Sequence, residues 1–142
     1  MTFAKFAILP FAIASLAACG SDATNETQTT EAQLDRIEDQ AEQSAIAAGT
    51  AEAALGLTEA QLLDAELVTA DGTELGDVER VSRDASGAVT ELLIEIEDSN
   101  PDRYVVIPID GLTVRGAGDD ADLQTGMTMQ DLAALPDAVL AP

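Results

Sequence analysis

The pattern of apolar and polar residues divides the chain into parts of different texture. Residues 6–18 form an uncharged, largely apolar run, whereas residues 20–30 contain no apolar residue larger than alanine. Residues 30–49 carry a thin apolar stripe near helical spacing. From about Thr58 the chain changes to short runs rich in leucine and β-branched residues, which is typical of β-strands. These textures predict a leader, a tether and a folded domain, at 1–18, 19–57 and 58–142.

Within the folded domain the runs predict five or six short strands. Asp71-Gly72 is a strong hairpin turn pair, and "DASG" at 84–87 marks a second turn. In the run at 88–97 apolar residues alternate with glutamates, so one face of that strand is apolar. Leu93 interrupts the glutamate face and is expected to meet a neighbouring helix or a partner chain. The predicted strands are 65–70, 74–83, 88–97, 103–109, 112–115 and 121–125.

Two irregularities refine the predicted sheet. Val78 and Val81 are three residues apart and cannot both face inward on a regular strand. A β-bulge near Gly76 or Arg80 would let both face the core. Pro108 has no amide hydrogen to give to a neighbouring strand, which places its strand at a sheet edge.

The domain ends in a short helix. Thr128 and Asp131 have the spacing of an amino-terminal cap for "MQDLAAL", and Pro136 ends the helical stretch. The predicted fold class is therefore mainly β, either a small barrel or a two-sheet fold of five to six short strands that is plugged by a carboxy-terminal helix.

The tether is predicted to have two halves. Residues 20–30 cannot bury enough surface to offset chain entropy and are expected to be disordered. Thr30 and Gln33 then read as a capping box for a helix that ends at Gly49. Its apolar stripe is mostly alanine, which favours a solvated stalk over a coiled coil. The stripe consists of Leu34, Ile37, Ala41 and Ala48.

The leader has the features of a secretory signal peptide. Lys5 precedes the apolar run, which at this length is too short to span a bilayer. Leu16-Ala17-Ala18-Cys19 resembles the lipobox of bacterial lipoproteins. This resemblance implies cleavage before Cys19 and attachment of fatty chains there. A plain signal peptide with a cysteine near the cut, or a buried core cysteine, are the alternatives.

Charge limits the partners of the protein. The chain has 27 acidic residues against 6 basic ones, no histidine and a formal net charge of −21. Nucleic-acid binding needs lysine and arginine to neutralise phosphates, so no nucleic-acid partner is expected. The same charge disfavours direct docking on anionic lipid.

The residue types present also limit the chemistry. Without histidine and with a single cysteine, the chain has no Ser-His-Asp or Cys-His arrangement and no zinc site with nitrogen and sulfur ligands. Asp119, Asp120 and Asp122 offer oxygen ligands for a hard cation. They lack the spacing of a calcium loop, which favours a solvated loop. The prediction is a protein that is not an enzyme, with no catalytic residue and no cofactor.

Four motifs, in order, resemble the PRC-barrel domain family over about residues 62–139. The family pattern is an acid-glycine turn, an apolar-Gly-x-Val step, an apolar-Pro-apolar strand and a terminal Leu-Pro segment. They correspond here to Asp71-Gly72, Leu75 to Val78, Ile107-Pro108-Ile109 and Leu132 to Pro136. The resemblance implies a small barrel that serves as a binding and scaffolding module. One member of the family has a long membrane-spanning helix, and another has an additional amino-terminal domain. This chain is expected to have neither, so the partners of those two proteins do not transfer to it.

Together these observations predict a bacterial envelope lipoprotein that presents a PRC-barrel-like domain to another envelope protein. Gly20 after the cysteine favours the outer membrane, with the domain facing the periplasm. Leu93 and Tyr104 are the first candidates for the interface. The alternative is a low-affinity divalent-cation binder or acidic surface component that uses the loops at 98–102 and 117–122.

Overall fold

The computed structural model describes residues 22–140, with side chains described from residue 31 onward. A long helix is followed by eight short strands, two further α-helices and one turn of 3-10 helix at Gly118–Asp120. In chain order the elements are α1 (Asp22–Ala48), β1 (Glu52–Ala54), β2 (Leu57–Thr58), α2 (Glu59–Leu63), β3 (Glu66–Val68), β4 (Glu74–Arg83), β5 (Val89–Ile96), β6 (Tyr104–Pro108), β7 (Thr113–Arg115), β8 (Asp122–Gln124) and α3 (Met129–Ala133).

Six of the strands form one mixed sheet, in the order β6-β5-β4-β3-β8-β7, and β1 and β2 form a separate small hairpin. All neighbours in the large sheet are antiparallel except β3 and β8. The prediction of a mainly β fold is confirmed. A closed barrel is not found, because within residues 22–140 no pairing joins β6 to β7.

The β6 edge explains part of this open order. Ile96 and Ile109 donate backbone hydrogen bonds to Arg103 and Thr90 across the β5–β6 pair, so the alternate residues of β6 direct their backbone groups outward. One of those, Pro108, has no amide hydrogen to offer, and its predicted place at a sheet edge is confirmed. The Tyr104 carbonyl accepts a hydrogen bond from Ala138, 2.7 Å away. The chain's own carboxy-terminal segment therefore occupies the start of this edge.

The predicted β-bulge is present in β4. The register with β5 shifts between Val78 and Arg80, so Glu79 is an extra residue. Val78 consequently faces the core and is buried, while Val81 is half-buried and packs against the same core. Gly76 pairs with Ile96 just before the bulge. Any side chain at Gly76 would clash with the Glu95 carbonyl oxygen.

The inner face of the sheet carries the main core. Leu62 of α2 and Leu132 of α3 are fully buried against it. Both helices begin at capping boxes: Thr58 pairs with Gln61, and Thr128 pairs with Asp131 as predicted. The strand residues of this core include Leu67, Leu75, Val78, Leu92, Ile94, Ile96, Val105, Ile107 and Leu123.

The helix α1 differs from its prediction in two respects. It begins at Asp22 rather than Thr30, so most of the stretch predicted as a disordered spacer is helical; residues 20 and 21 lie outside the described residues. The solvated stalk is also wrong, because α1 packs against α2 and β4 and buries Ile37 and Ala41. Small alanine side chains let a helix approach a neighbouring surface closely. The alanine-rich stripe thus serves as a packing surface.

Candidate functional site

The two residues predicted as an interface lie under α1, on the outer face of the sheet. Leu93 is 1% exposed and Tyr104 is 8% exposed, and both belong to one apolar cluster with Ile37 of α1. Of the two partners expected for Leu93, the neighbouring helix is the one that the structure shows. We call this set the outer cluster: Ile37, Leu93 and Tyr104, with the partly buried Leu34, Ala138 and Leu140 packed against them.

A chain of polar side chains borders the outer cluster. The bulge at Glu79 brings this carboxyl near Glu95 on β5, so that their negative charges repel. Glu95 in turn pairs across the strands with Tyr104 of β6, on the same face of the sheet. Burial, followed by the charges of Glu95 and of Glu38 on α1, raises the pKa of Glu79 to about 7. Burial and the Glu95 charge likewise raise the pKa of Tyr104.

An acidic groove of about 430 Å³ runs between α1, α2 and β4 beside this chain. Its remaining surface comes from alanine, leucine and valine side chains. Every charged residue that lines the groove is acidic: Glu38, Glu42, Asp64, Asp77 and Glu79. The groove therefore has an apolar floor and a rim of like charges.

One ion pair ties the three elements around the groove together. Glu59, at the start of α2, is 2% exposed and lies 2.6 Å from the Arg83 guanidinium of β4. Ser44 of α1 lies close enough to this carboxylate to help to lower its pKa. Burial acts to raise the pKa of Glu59, but Ser44, the Arg83 hydrogen bond and the Arg83 charge outweigh it and lower that pKa.

A second set of carboxylates lies where β4 begins and β5 ends. Among the residues that the structure describes, Glu74, Asp77 and Glu97 are the one group of three whose carboxylate oxygens lie within 4.8 Å of one another. The negative charge of Glu66, followed by burial and the Glu97 and Asp77 charges, raises the pKa of Glu74. Exposed acidic groups of this kind are common without an ion. We therefore treat the three as a repulsive cluster and not as metal ligands.

The aspartates predicted as weak cation ligands are not brought together. Asp119 and Asp120 are exposed on the 3-10 turn, and Asp122 begins β8. They do not form a group with converging oxygens in the described part of the chain. Cys19, the predicted lipid-attachment residue, lies outside the described residues.

Sequence reasoning missed the pairing of Glu79 with Glu95. The alternation along β5 predicts a glutamate face, and the spacing of Val78 and Val81 predicts a bulge in β4, but neither pattern alone indicates that Glu79 lies near Glu95. The "DASG" turn fixes β4 against β5, and counting back from it through the bulge would have placed both carboxyls on the same face. That count was the available signal. The sequence contains no comparable signal that α1 covers Glu79 and Glu95.

Comparison with known proteins adds no family assignment. No family model matches the chain, and the search of curated proteins returns no significant match. Within residues 22–140, no helix combines the length and apolar character that a membrane-spanning segment needs.

Proposed function

We propose that this protein is a bacterial envelope lipoprotein, anchored through Cys19, whose folded domain binds another envelope protein. The observation that carries the proposal is Leu16-Ala17-Ala18-Cys19, placed after Lys5 and a short apolar run. A lone cysteine forms no intramolecular disulfide, and an exposed thiol is a liability in an oxidising compartment. Acylation removes that liability and accounts for the position of the cysteine.

Lipid chains and domain charge have complementary effects in this proposal. Two or three acyl chains anchor stably, because each buried methylene contributes roughly 0.8 kcal/mol. The acidic domain is repelled by anionic lipid headgroups. The domain therefore stands off the bilayer, on the outer membrane and facing the periplasm, where another protein reaches it.

The positions of the PRC-barrel-like motifs support a binding module. Asp71-Gly72 joins β3 to β4, and Pro108 ends β6. The Leu132-to-Pro136 segment forms α3 and its end. These three of the four motifs lie on a turn, an edge strand and a terminal helix, and this order supports the proposal. Because the chain has no histidine and one cysteine, we propose binding rather than catalysis.

Metabolic labelling tests the anchor. Cells that express the full chain are fed an alkyne-bearing palmitate, and the purified protein is weighed intact. The proposal expects label, loss of residues 1–18 and added acyl mass, all abolished by Cys19→Ser. A Cys19→Ser variant that still labels, or an unmodified thiol with residues 1–18 attached, overturns it.

Cross-linking tests the binding half. The acylated protein is cross-linked in intact envelopes and compared with a chain truncated after residue 57. A cross-linked species of defined mass that requires residues 58–142 supports a binding domain. Equal cross-linking by both chains contradicts it.

The divalent-cation alternative stays a prediction. Calorimetric titration with calcium should give a saturable signal if the loops at 98–102 and 117–122 bind the ion. An Asp120→Asn variant should then lose affinity, whereas a response without saturation excludes the alternative.

A further inference from the structure

Carboxylates from α1, β4 and β5 lie close together between the helix and the sheet. Glu79 lies in the β4 bulge, Glu95 on β5 and Glu38 on α1, and the two neighbours act together to disfavour ionisation of Glu79. Glu79 is only half-buried, yet it lines the groove between the helix and the sheet. The share of its environment that comes from Glu38 and from cover by the helix therefore exists only while α1 is docked.

The other charged groups around Glu79 are almost all negative. Arg80 follows Glu79 and pairs with Leu93, so it belongs to the outer face. The two ion pairs found among the described residues do not involve Arg80. The groups that face Glu79 from the elements around it are Glu38 and Glu42 on α1, Asp64 after α2, Asp77 and Arg80 on β4, and Glu95 on β5.

The apolar contact that holds α1 over this region is small. Within the described side chains its fully buried large residue is Ile37, with Ala41 and Ala45 completing the stripe. A contact of this size is sensitive to repulsion between neighbouring carboxylates. Protonation of one carboxyl removes part of that repulsion.

We propose that α1 is a proton-dependent clamp, which is closed over the outer cluster when Glu79 is protonated and loosens when Glu38, Glu79 and Glu95 are all ionised. Loosening uncovers Leu93 and Tyr104 on the outer face of the sheet. This inference is independent of lipid attachment and goes beyond the proposed function, since it concerns how the domain presents its surface.

The sign follows from proton linkage. With α1 docked, the pKa of Glu79 is raised from its ordinary value of 4.5 to about 7. Glu95 and Asp77 act on Glu79 from the sheet itself, so undocking removes only the share that comes from Glu38 and from burial beneath α1. The undocked state therefore loses its proton at a lower pH than the docked state. Docking is thus favoured below the window between these two pH values and weakens through it, by up to about tenfold per pH unit.

Glu59 sets the lower limit of the closed state. Because docking and folding lower the pKa of Glu59, its contribution is present above the ordinary pKa and disappears as pH falls through the lowered value. The clamp is therefore tightest at mildly acidic pH, between the windows of the two carboxyls.

Tyrosine fluorescence measures the clamp directly. The chain has one tyrosine and no tryptophan, and that tyrosine, Tyr104, lies beneath α1. Acrylamide is an uncharged quencher, so its access reports opening without a charge effect of its own. The full chain in non-ionic detergent is titrated from about pH 5 to about pH 8, and the quenching constant is expected to rise about twofold or more.

Two matched variants separate the clamp from general charge effects. Glu79→Gln keeps the shape and stays neutral, so its quenching constant should remain low across the range. Asp39→Asn removes one charge from the exposed side of the same helix and should titrate like the wild type. At about pH 8, added salt should lower the wild-type constant, because screening weakens repulsion.

Several results would overturn the proposal. They are a flat wild-type profile, a Glu79→Gln profile that still rises, or an Asp39→Asn profile that goes flat. Far-ultraviolet circular dichroism establishes that each variant is folded. Should Glu79→Gln not fold, Glu38→Gln serves in its place and is expected to move the midpoint of opening to higher pH; an unchanged midpoint contradicts the clamp.

Discussion

The two faces of the six-stranded sheet are covered in different ways. The inner face is apolar throughout and packs against Leu62 and Leu132 of the two short helices. The outer face has a three-residue apolar cluster beside a row of carboxylates, and α1 covers it. The inner face should therefore hold the domain together, while the outer face is held weakly and in a way that responds to protons. We therefore expect the inner face to determine whether the domain folds, and the outer face to be the place where α1 can move.

The largest expected effect is on the inner face. Leu92 is fully buried there, and Leu92→Ala should lower the free energy of unfolding by about 3 kcal/mol, through lost transfer energy and a cavity. Urea unfolding followed by circular dichroism measures it. Val106, on the outer face of edge strand β6, is 38% exposed, and Val106→Ala should change stability by no more than about 0.5 kcal/mol. Equal costs at the two positions would remove the distinction between the faces.

The next effect separates α1 from the domain. Ile37→Ala should weaken docking of α1 by about 2 kcal/mol, because Ile37 is 2% exposed at the centre of the outer cluster. Acrylamide quenching of Tyr104 should rise while the β-domain stays folded. Ile46→Ala makes the same change on the same helix at a residue that is 72% exposed, and it should leave quenching unchanged. Loss of the whole fold in Ile37→Ala would mean that α1 belongs to the core.

A smaller effect is expected at the ion pair that joins α1, α2 and β4. Glu59→Gln leaves Arg83 without its charged partner and should cost about 1.5 kcal/mol. It should also reduce the loss of stability expected as pH falls below the ordinary carboxyl range, because Glu59 is the buried one of the carboxyls whose pKa is lowered. The others, Asp71, Asp84 and Asp131, are exposed. If Glu59→Gln loses as much stability as the wild type when the pH falls, other carboxylates cause that loss.

The smallest effect is the pH dependence of the intact protein. Stability should be greatest near about pH 4.5 and about 1 kcal/mol lower at about pH 8, since the stabilisation from Glu79 is complete only below its ordinary pKa and disappears as pH rises through about 7. Urea midpoints at constant ionic strength measure this. In Glu79→Gln the decline toward alkaline pH should shrink. A decline of the same size in that variant would trace it to other acids, such as Glu74, whose pKa is also raised.

Local features of the fold were predictable because their signals lie in neighbouring residues. The Asp71-Gly72 turn, the bulge in β4, the edge position of Pro108 and the Thr128 cap all follow from a few residues each. Contacts between distant segments had no comparable signal. Leu93 illustrates both cases. The sequence indicates that this apolar residue needs a partner, but only the folded structure shows that the partner is α1.

A repeated pentapeptide shows the same limit. "TEAQL" occurs at 30–34 and at 58–62. At Thr58 it begins α2, with a capping box completed by Gln61, because β2 pairs with β1 up to that residue. At Thr30 the same letters lie inside α1, which has already begun at Asp22. Five residues encode a preference for starting a helix, and the preceding chain decides whether a helix starts there.

The sequence by itself determined the acidic balance, the lipobox-like leader, the positions of most strands and turns, and the apolar inner face. Tertiary structure alone decided that the sheet stays open, that α1 lies on its outer face, and that Glu38, Glu79 and Glu95 face one another. The reason is physical. Backbone preferences and apolar alternation act over a few residues, whereas the environment of a carboxyl depends on which distant segments come to surround it.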